Sequence, residues 1–282
     1  MGLAGAYSRQ VNTGLRLADD GIRLARVATE KALALDPEYA PAHARLGWIS
    51  LYYDRDMAAA ARHIQHALAL EPANPDIIGI AANLARRLGR LDQAIAIGEY
   101  QLARDPVSAG GHYDLGLAYR YAGRLDEAIA KSRTALRLSP GMMTAHSMIG
   151  EVLLQKGDAR AALAEFHKEA NEQLRLCGWS MAHHVLGDKP KSDAALAELI
   201  RKYEKTSTYS IAIALAYRGE TDRAYEWLDR AVQYHDPAVG SIAVYPMFAN
   251  LHSDPRWLLF LRKLGMAPEQ LAAIKFDVTL PQ

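Results

Sequence analysis

Two closely spaced histidines are the side chains whose spacing most resembles a metal site. His63 and His66, in the stretch RHIQH, are three residues apart and therefore share one face of a helix. Imidazoles on one helix face can chelate Zn²⁺, but a zinc site needs further ligands beside them. No third ligand is evident in the neighbouring sequence, so a solvated helix face explains the pair better and no metal site is predicted.

The single cysteine is the candidate nucleophile. Cys177 lies in RLCGWSM, whose apolar residues favour a buried thiol over a reactive thiolate. His183 and His184 are adjacent, so on a helix they point about 100° apart and cannot act on one atom. The sequence shows no glycine-rich phosphate loop, nucleophile elbow or zinc signature. An enzyme that uses Cys177 or a histidine is therefore the less favoured hypothesis, and no catalytic residue or cofactor is predicted.

The charge balance and the cysteine count limit the class of protein. Lys and Arg number 33 against 32 Asp and Glu, and a net charge of +1 argues against direct nucleic-acid binding, which needs a basic excess. One cysteine excludes an internal disulfide and favours a reducing compartment. No window reaches the ~18 uninterrupted apolar residues of a membrane span, and the start lacks a signal peptide. We expect a cytoplasmic protein without membrane contacts.

Small residues and prolines recur along the chain with a constant step. The step is 34 residues in each of three sets: Gly89, Gly123 and Gly157; Ala94, Ala128 and Ala162; Pro72, Pro106 and Pro140. This period is the signature of the tetratricopeptide repeat (TPR), a helix–turn–helix unit. Residues 109–142 resemble that family almost position by position, through Leu115, Gly116, Tyr119, Gly123, Ala128, Ala135 and Pro140. The resemblance implies an all-α fold of stacked hairpins.

Each of these marks has a structural cause. Ala128 and Ala135 are seven residues apart on one helix face, where methyl groups let two helices approach closely. Gly123 suits the left-handed conformation that ends a helix. Pro140 stops the second helix and permits a sharp entry into the next unit. The marks are the joints of a hairpin that can stack on copies of itself.

The units on either side depart from this pattern. Gln101 and Glu169 stand where the second packing alanine is expected, and residues 40–74 form a unit one residue longer than standard. The first unit needs a first helix within residues 3–18. We predict a right-handed α-α superhelix, a TPR solenoid, of about seven hairpins. The predicted hairpins cover residues 3–39, 40–74, 75–108, 109–142, 143–176, 177–204 and 205–237, and residues 238–282 form a C-terminal capping segment of the same domain as residues 1–237.

A helix is predicted in the capping segment. Ser253, Asp254 and Pro255 have the pattern of a helix start, with a cap residue followed by proline at the first helical position. The expected apolar face consists of Leu258, Leu259, Leu261 and Leu264. Such a helix would cover the apolar face that the last hairpin of a solenoid exposes.

The sequence of the C-terminal part of the chain resembles that of a narrower group of proteins. YRGETDRAYEWLDRA and YPMFANLHSDPRWLLFLRKLGM, together with YYDRDMAAAARHIQHALALEP, are similar to the C-terminal TPR regions of some bacterial class III adenylate/guanylate cyclases and of winged-helix TPR regulators. Those families usually have Phe where this chain has Trp257. No cyclase catalytic motif is present in the sequence, so the resemblance implies an accessory module without nucleotide chemistry.

The TPR resemblance also implies a binding surface. In that family the first helices line a concave groove, and repeat positions 2, 5, 9, 12 and 13 point into it. The candidate peptide-binding residues at such positions are Trp48, Tyr52, Asn83, Arg86, Arg87, Tyr113, Leu117, Arg120 and Tyr121, and the stripe continues through Leu51, Glu151, Leu154, Tyr209 and Tyr217. Rigid rings and guanidinium groups suit a peptide. The alternative is that Trp48 and Tyr113 pack between repeats. The family's carboxylate clamp is absent, because Gly79 stands where its lysine is needed beside Asn83.

We therefore predict a protein- or peptide-binding scaffold that serves as an accessory or regulatory module of a signalling protein. A free-standing, self-associating TPR adaptor, for example a homodimer, is the alternative. The chain opens into a helix without a polar capping unit, whereas its other end has a predicted cap. This asymmetry suggests the C-terminal region of a longer polypeptide, beside the alternative of an adaptor whose first helix caps itself.

Overall fold

The described part of the chain is all-α. The computed structural model describes Gly5, Tyr7 and residues 18–281, in which helices of three types occur and no strand. The α-helices are α1 (Ala18–Leu35), α2 (Ala40–Ile49), α3 (Met57–Leu70), α4 (Pro75–Arg87), α5 (Leu91–Arg104), α6 (Ala109–Tyr121), α7 (Leu125–Leu138), α8 (Ala145–Gln155), α9 (Ala159–Lys168), α10 (Glu172–Val185), α11 (Lys189–Tyr203), α12 (Thr208–Tyr217), α13 (Thr221–Gln233), α14 (Pro255–Lys263) and α15 (Pro268–Ala272). The predicted all-α class is confirmed. The first helix expected within residues 3–18 lies outside the described residues, apart from Gly5, Tyr7 and Ala18.

The helices fall into two compact units. The first unit comprises residues 1–101 and 268–282, and the second unit comprises residues 102–267. Within the first unit α2 pairs with α3, and within the second unit the pairs are α6 with α7, α8 with α9, α10 with α11 and α12 with α13. Each pair is a hairpin of the kind that the 34-residue step predicts. The division into a repeat array and a capping segment at residue 237 stays a prediction.

A left-handed glycine closes the turn of a regular hairpin. Gly123 has φ of +75°, and the N–H of Arg124 donates back to the carbonyl of Tyr119 at 2.8 Å. This closure satisfies carbonyl groups that the end of the helix leaves without partners.

The longer unit, residues 40–74, uses a different turn. Ser50–Asp54 form a π-helical turn, and Arg55 then adopts the left-handed conformation with φ of 58° where the other units have glycine. A π-helical turn accommodates one additional residue without breaking the helix. The extra residue of this unit is therefore placed next to Trp48, on the segment that contains Tyr52.

Two side chains that replace the second packing alanine bond to the first turns of other helices. Gln101 Nε2 donates to the carbonyl of Pro75 at 3.2 Å, and Gly79 leaves room for it, since a Cβ there would lie 3.2 Å from that nitrogen. Glu169 is buried and accepts from the N–H of Ser147 at 3.0 Å, in the first turn of α8. Because Glu169 leaves the helical conformation to do so, α9 has 10 residues whereas α3, α5 and α7 have 14 each.

The chain after α13 folds back on the second unit. Two 3₁₀-helical segments, Pro237–Val244 and Pro246–Leu251, are followed by α14. Ion pairs tie α14 to α13, Arg256 to Asp222 at 2.9 Å and Lys263 to Asp229 at 3.3 Å.

The apolar face predicted for α14 is partly wrong. Leu258 and Leu259 are exposed, whereas Trp257, Phe260 and Leu261 are buried. The buried residues follow the i, i+3, i+4 spacing that starts at Trp257, and the aromatic rings bury more apolar area than the leucines they displace. The buried face of α14 is therefore shifted by about one residue from the predicted face, because it includes the indole of Trp257.

The last described residues pack on the first unit. Phe276 is fully buried, and its carbonyl accepts from Arg90 Nη1 at 2.7 Å. Arg90 also donates through Nη2 to the carbonyl of Ile274. Gln65 Nε2 donates to the carbonyl of Asp277 at 3.3 Å. This tail closes the first unit with backbone carbonyls that accept from side chains.

Candidate functional site

The predicted binding residues lie on the first helices of the hairpins or, for Tyr52, on the π-helical turn that follows α2, and within each unit we call them the first-helix face. In the first unit this face consists of Trp48, Tyr52, Asn83, Arg86 and Arg87. In the second unit it consists of Tyr113, Leu117, Arg120, Tyr121, Glu151 and Tyr209.

Aromatic rings dominate the first-helix face of the first unit. Trp48 and Tyr52 are half-buried, and their ring centroids lie 5.4 Å apart. Arg87 places its guanidinium 4.5 Å from the centre of the Tyr52 ring. Trp48 also packs on the buried cluster of Ile22, Ala25 and Ile49. The indole therefore combines the packing role with a partly exposed surface.

The polar part of this face is held by local hydrogen bonds. Arg86 Nη2 donates to Asn83 Oδ1 at 2.7 Å, and Asn83 Nδ2 donates to the carbonyl of Gly79 at 3.1 Å. Arg86 and Arg87 are both buried. Side chains buried and fixed in this way support the exposed part of the face and leave little of their own surface to a ligand.

The first-helix face of the second unit contains a buried ion pair. Arg120 Nη1 lies 2.6 Å from Glu151 Oε2, and the two side chains are 1% and 8% exposed. Gln155, with its amide oxygen turned toward Arg120, accepts from Nε at 3.1 Å and from Nη2 at 3.2 Å. A buried charge pair is tolerated only when its remaining donors and acceptors are satisfied in this manner.

A further residue that contacts this ion pair comes from the segment that follows α13. Tyr245 donates its hydroxyl hydrogen to Glu151 Oε2 at 2.7 Å, and its ring lies 4.9 Å from the Arg120 guanidinium carbon. Its ring centroid is 5.9 Å from those of both Tyr121 and Tyr209, in edge-to-face arrangements. Tyr245 thus occupies the first-helix face of the second unit.

The charges in this cluster set the protonation states. Burial alone would lower the pKa of Arg120, but the Glu151 carboxylate and the neighbouring tyrosines outweigh it and raise that pKa. Burial, followed by the negative charge of Glu151, raises the pKa of Tyr245 well above its usual 10. Burial likewise raises the pKa of Tyr113 to about 12. Tyr245 is therefore a neutral hydroxyl that donates to Glu151.

Part of this chain is similar in sequence to a known repeat family. Residues 113–173 match the family model of the tetratricopeptide repeat. Residues 113–173 are thus similar in sequence to tetratricopeptide repeats. Superkiller protein 3 of Schizosaccharomyces pombe (strain 972 / ATCC 24843) is 25% identical over 229 residues, which cover 72% of this chain. The chain spans 16% of the length of that relative.

Solved structures share the TPR fold. PilW, a widely conserved type IV pilus biogenesis factor, has a TM-score of 0.61 and 19% identity, covering 75% of this chain and 98% of its own. The TPR protein TTC0263 of Thermus thermophilus has a TM-score of 0.54 and 21% identity, covering 71% and 99%. PilF of Pseudomonas aeruginosa has a TM-score of 0.54 and 19% identity, covering 72% and 95%. At these identities the likeness establishes the fold alone.

Sequence reasoning missed Tyr245. The TPR repeat positions pointed to Arg120, Tyr121, Glu151 and Tyr209, all of which the structure brings together. Tyr245 lies in AVYPMF, beyond the last hairpin, where no repeat position exists. The only signal was a proline after an aromatic residue in a stretch without helical spacing. That signal indicates an extended residue but not what it touches.

The candidate nucleophile is shielded. Cys177 is buried, and burial raises the pKa of its thiol, so the sulfur stays protonated at neutral pH. Its Sγ–H donates to the carbonyl of Ser210 at 3.3 Å. The predicted small buried hydrophobe is confirmed. A thiolate nucleophile does not fit this environment.

A third histidine joins the predicted pair. His43 in α2 has its ring centroid 4.3 Å from that of His66 and 5.8 Å from that of His63. His43 Nε2 is 2.9 Å from the carbonyl of Pro37, a backbone contact that His112 repeats with Pro106 at 3.0 Å. Over the described residues, no group of three or more His, Cys, Asp or Glu side chains could hold a metal ion. The contacts to the proline carbonyls give His43 and His112 a structural role.

This histidine cluster predicts acid sensitivity. Burial lowers the pKa of His63 below its usual 6.5, and the charges of His43, Arg62, His66 and Arg26 add to that shift. The unfolded chain therefore binds a proton more readily than the folded chain, so the contribution of His63 to stability is present above about pH 6.5 and is lost as the pH falls below it. Urea unfolding at a series of pH values should show a smaller loss on acidification in His63→Gln than in the wild type. Equal pH dependence in the two proteins would contradict it.

In the portion of the chain that the structure describes, no helix is long and apolar enough to cross a membrane.

Proposed function

We propose that this chain is a TPR scaffold that binds a protein or peptide partner through the first-helix face of its first unit. The observation that carries the proposal is the aromatic pair Trp48 and Tyr52, which is half-buried and backed by the Arg87 guanidinium. Rings held in one orientation provide contact area at a low cost in conformational entropy, and Trp, Tyr and Arg are the residues that most often dominate binding energy.

The second unit supports this proposal. There the first-helix face already holds an irregular segment of polypeptide, through a tyrosine hydroxyl on Glu151 and a ring beside Arg120. The chain itself thus provides an example of how such a face accommodates a peptide: aromatic stacking, a guanidinium and one polar anchor. The first unit offers the first two of these features in Tyr52 and Arg87.

The π-helical turn brings a second tyrosine to the aromatic pair. Ser50–Asp54 contain the extra residue of this unit, and they place Tyr52 and Tyr53 beside Trp48, with Tyr53 also 5.4 Å from the indole. π-Helical turns occur frequently at functional sites, because they re-aim side chains at a cost in local hydrogen bonding. A standard 34-residue unit would not bring two tyrosines to this indole.

Binding should depend on the aromatic pair. A displayed random-peptide library selected on the wild-type chain should yield ligands whose affinity falls roughly 30-fold or more in Trp48→Ala/Tyr52→Ala, which corresponds to about 2 kcal/mol for a dominant contact. Tyr234→Ala is the matched control, because this tyrosine is exposed at the end of α13 and outside both first-helix faces. Its Kd values should equal those of the wild type, measured by isothermal titration. Unchanged affinity in the double variant, with its helical signal intact, would refute this binding site.

A narrower role is part of the same proposal. The likeness of the tail to TPR regions of bacterial cyclases and winged-helix regulators supports an accessory or regulatory module of a signalling protein. Self-association as a homodimeric adaptor is the alternative, and the exposed Leu258 and Leu259 on α14 are the apolar residues that favour it. Both roles use the scaffold to bring proteins together.

A further inference from the structure

The segment of residues 237–251 is attached to the second unit chiefly by its side chains. At the junction of its two 3₁₀-helical segments, the N–H of Tyr245 lies 3.4 Å from the carbonyl oxygen of Ile242, and the N–H of Phe248 lies 3.2 Å from that of Tyr245. Its apolar side chains, by contrast, are buried almost completely: Val239, Ile242, Met247, Phe248 and Leu251 are at most 2% exposed. A segment with long hydrogen bonds at its junction and strong side-chain anchoring resembles a bound peptide more than a packed helix.

Tyr245 is the centre of this attachment. It lies between the two 3₁₀-helical segments with an extended backbone, φ −79° and ψ 114°, as expected for a residue that precedes proline. This conformation directs the ring away from its own segment and onto Arg120 and Glu151. Pro246 therefore favours the backbone conformation in which the ring of Tyr245 makes these contacts.

Phe248 is the second anchor, three residues after the tyrosine. Its ring centroid is 5.3 Å from that of Tyr209 on α12 and 6.0 Å from that of Trp257 on α14. Tyr245 contacts the ion pair of Arg120 and Glu151, and Phe248 packs on the aromatic side chains beside it. The two anchors and the residues between them have the pattern Tyr-Pro-x-Phe.

The geometry points to residues 237–251 as a built-in ligand of the first-helix face of the second unit, and to a partner segment with the Tyr-Pro-x-Phe pattern as its competitor. The segment then acts as a latch: while it is seated, Arg120, Glu151 and Tyr209 are closed to a partner. This site differs from the one proposed in the first unit, and neither depends on the other.

Tethering explains why the latch stays closed. The segment follows α13 through His235, in the left-handed conformation, and Asp236, whose carboxylate accepts from the N–H of Tyr209 at 3.1 Å. A ligand tethered this closely has an effective concentration on the order of millimolar or above, so a free peptide of equal affinity cannot displace it. Weakening the tethered copy shifts the competition toward a peptide in solution.

The experiment uses a fluorescein-labelled synthetic peptide of residues 241–251, SIAVYPMFANL, and the full chain. Fluorescence anisotropy should show binding to Tyr245→Ala that is roughly tenfold or more tighter than binding to the wild type, since the variant keeps the face but loses its own tyrosine. The same peptide with alanine at the tyrosine should bind neither protein. Tyr234→Ala is the control chain, because it loses an exposed tyrosine outside the face and should behave as the wild type does.

Two further variants keep the test decisive. Tyr245→Phe retains the ring and removes only the hydroxyl on Glu151, so it should bind the peptide with an affinity between those of the wild type and Tyr245→Ala, even if the alanine variant fails to fold. Trp48→Ala/Tyr52→Ala removes the site proposed in the first unit, so loss of the labelled peptide in this variant would show that the peptide binds there and would overturn the latch. Equal affinity of the peptide for the wild type and for both Tyr245 variants, with circular dichroism showing them folded, would overturn the latch.

Discussion

Glu151→Ala is expected to lower the free energy of unfolding by about 3–5 kcal/mol, the usual cost of removing one partner from a buried ion pair. Arg120 would be left as a buried cation with only Gln155 and the tyrosine rings around it, and Tyr245 would lose the acceptor of its hydroxyl. Urea unfolding monitored by circular dichroism measures the change. The latch should also loosen, with faster hydrogen exchange in residues 237–251.

Two controls separate the buried pair from charge effects in general. Glu127→Ala removes a carboxylate whose partner, Arg124, lies 2.9 Å away in an exposed pair, and it should lower the free energy of unfolding far less than Glu151→Ala does, because solvent screens the pair. Arg120→Met/Glu151→Leu replaces both buried charges with apolar side chains and should be closer to the wild type than Glu151→Ala is. A loss in Glu151→Ala no larger than that in Glu127→Ala would show that the buried pair does not stabilise the face.

Gly178→Ala is the second large effect, with an expected loss of about 3 kcal/mol, at the upper end of the usual cost of overpacking. Phe166 on α9 is fully buried where α8, α9 and α10 meet. A Cβ on Gly178 would lie 2.2 Å from Phe166 Cδ1, and one on Gly150 would lie 2.6 Å from Cε1. Real carbon atoms do not approach so closely, and the buried ring has glycines on both helices that face it. Either the ring or α10 must move.

A matched glycine shows whether the contact is responsible. Gly110 lies in the first turn of α6, and a Cβ there would meet nothing within 4 Å. Gly110→Ala should therefore be neutral or stabilise by about 0.5–1 kcal/mol, because alanine restricts the unfolded chain. A double-mutant cycle with Phe166→Leu should show a favourable coupling with Gly178→Ala, since the smaller side chain makes room for the methyl group. Equal effects of the two alanine substitutions would disprove the steric argument.

The TPR part of the fold could be predicted from the sequence because it depends on local and repeated contacts. Gly123 ends a helix, Ala128 and Ala135 admit a neighbouring helix, and Gly123 and Ala128 return as Gly157 and Ala162 one step of 34 later. Hairpins that contact mainly their neighbours leave such a periodic record in the chain. The same logic placed Arg120, Tyr121, Glu151 and Tyr209 on one face, and the structure brings these side chains together.

Contacts that the repeat pattern does not encode were decided only by the tertiary structure. Gln101 and Glu169 interrupt the alanine pattern, but each bonds to the first turn of a helix 22 to 26 residues earlier in the chain. His43 completes a histidine cluster whose members are 20 and 23 residues apart in sequence. Tyr245 reaches Glu151 across 94 residues. These contacts are non-periodic and distant, so no spacing in the sequence announces them, and it is the packing of the irregular tail on the second unit that determines which part of the first-helix face is covered.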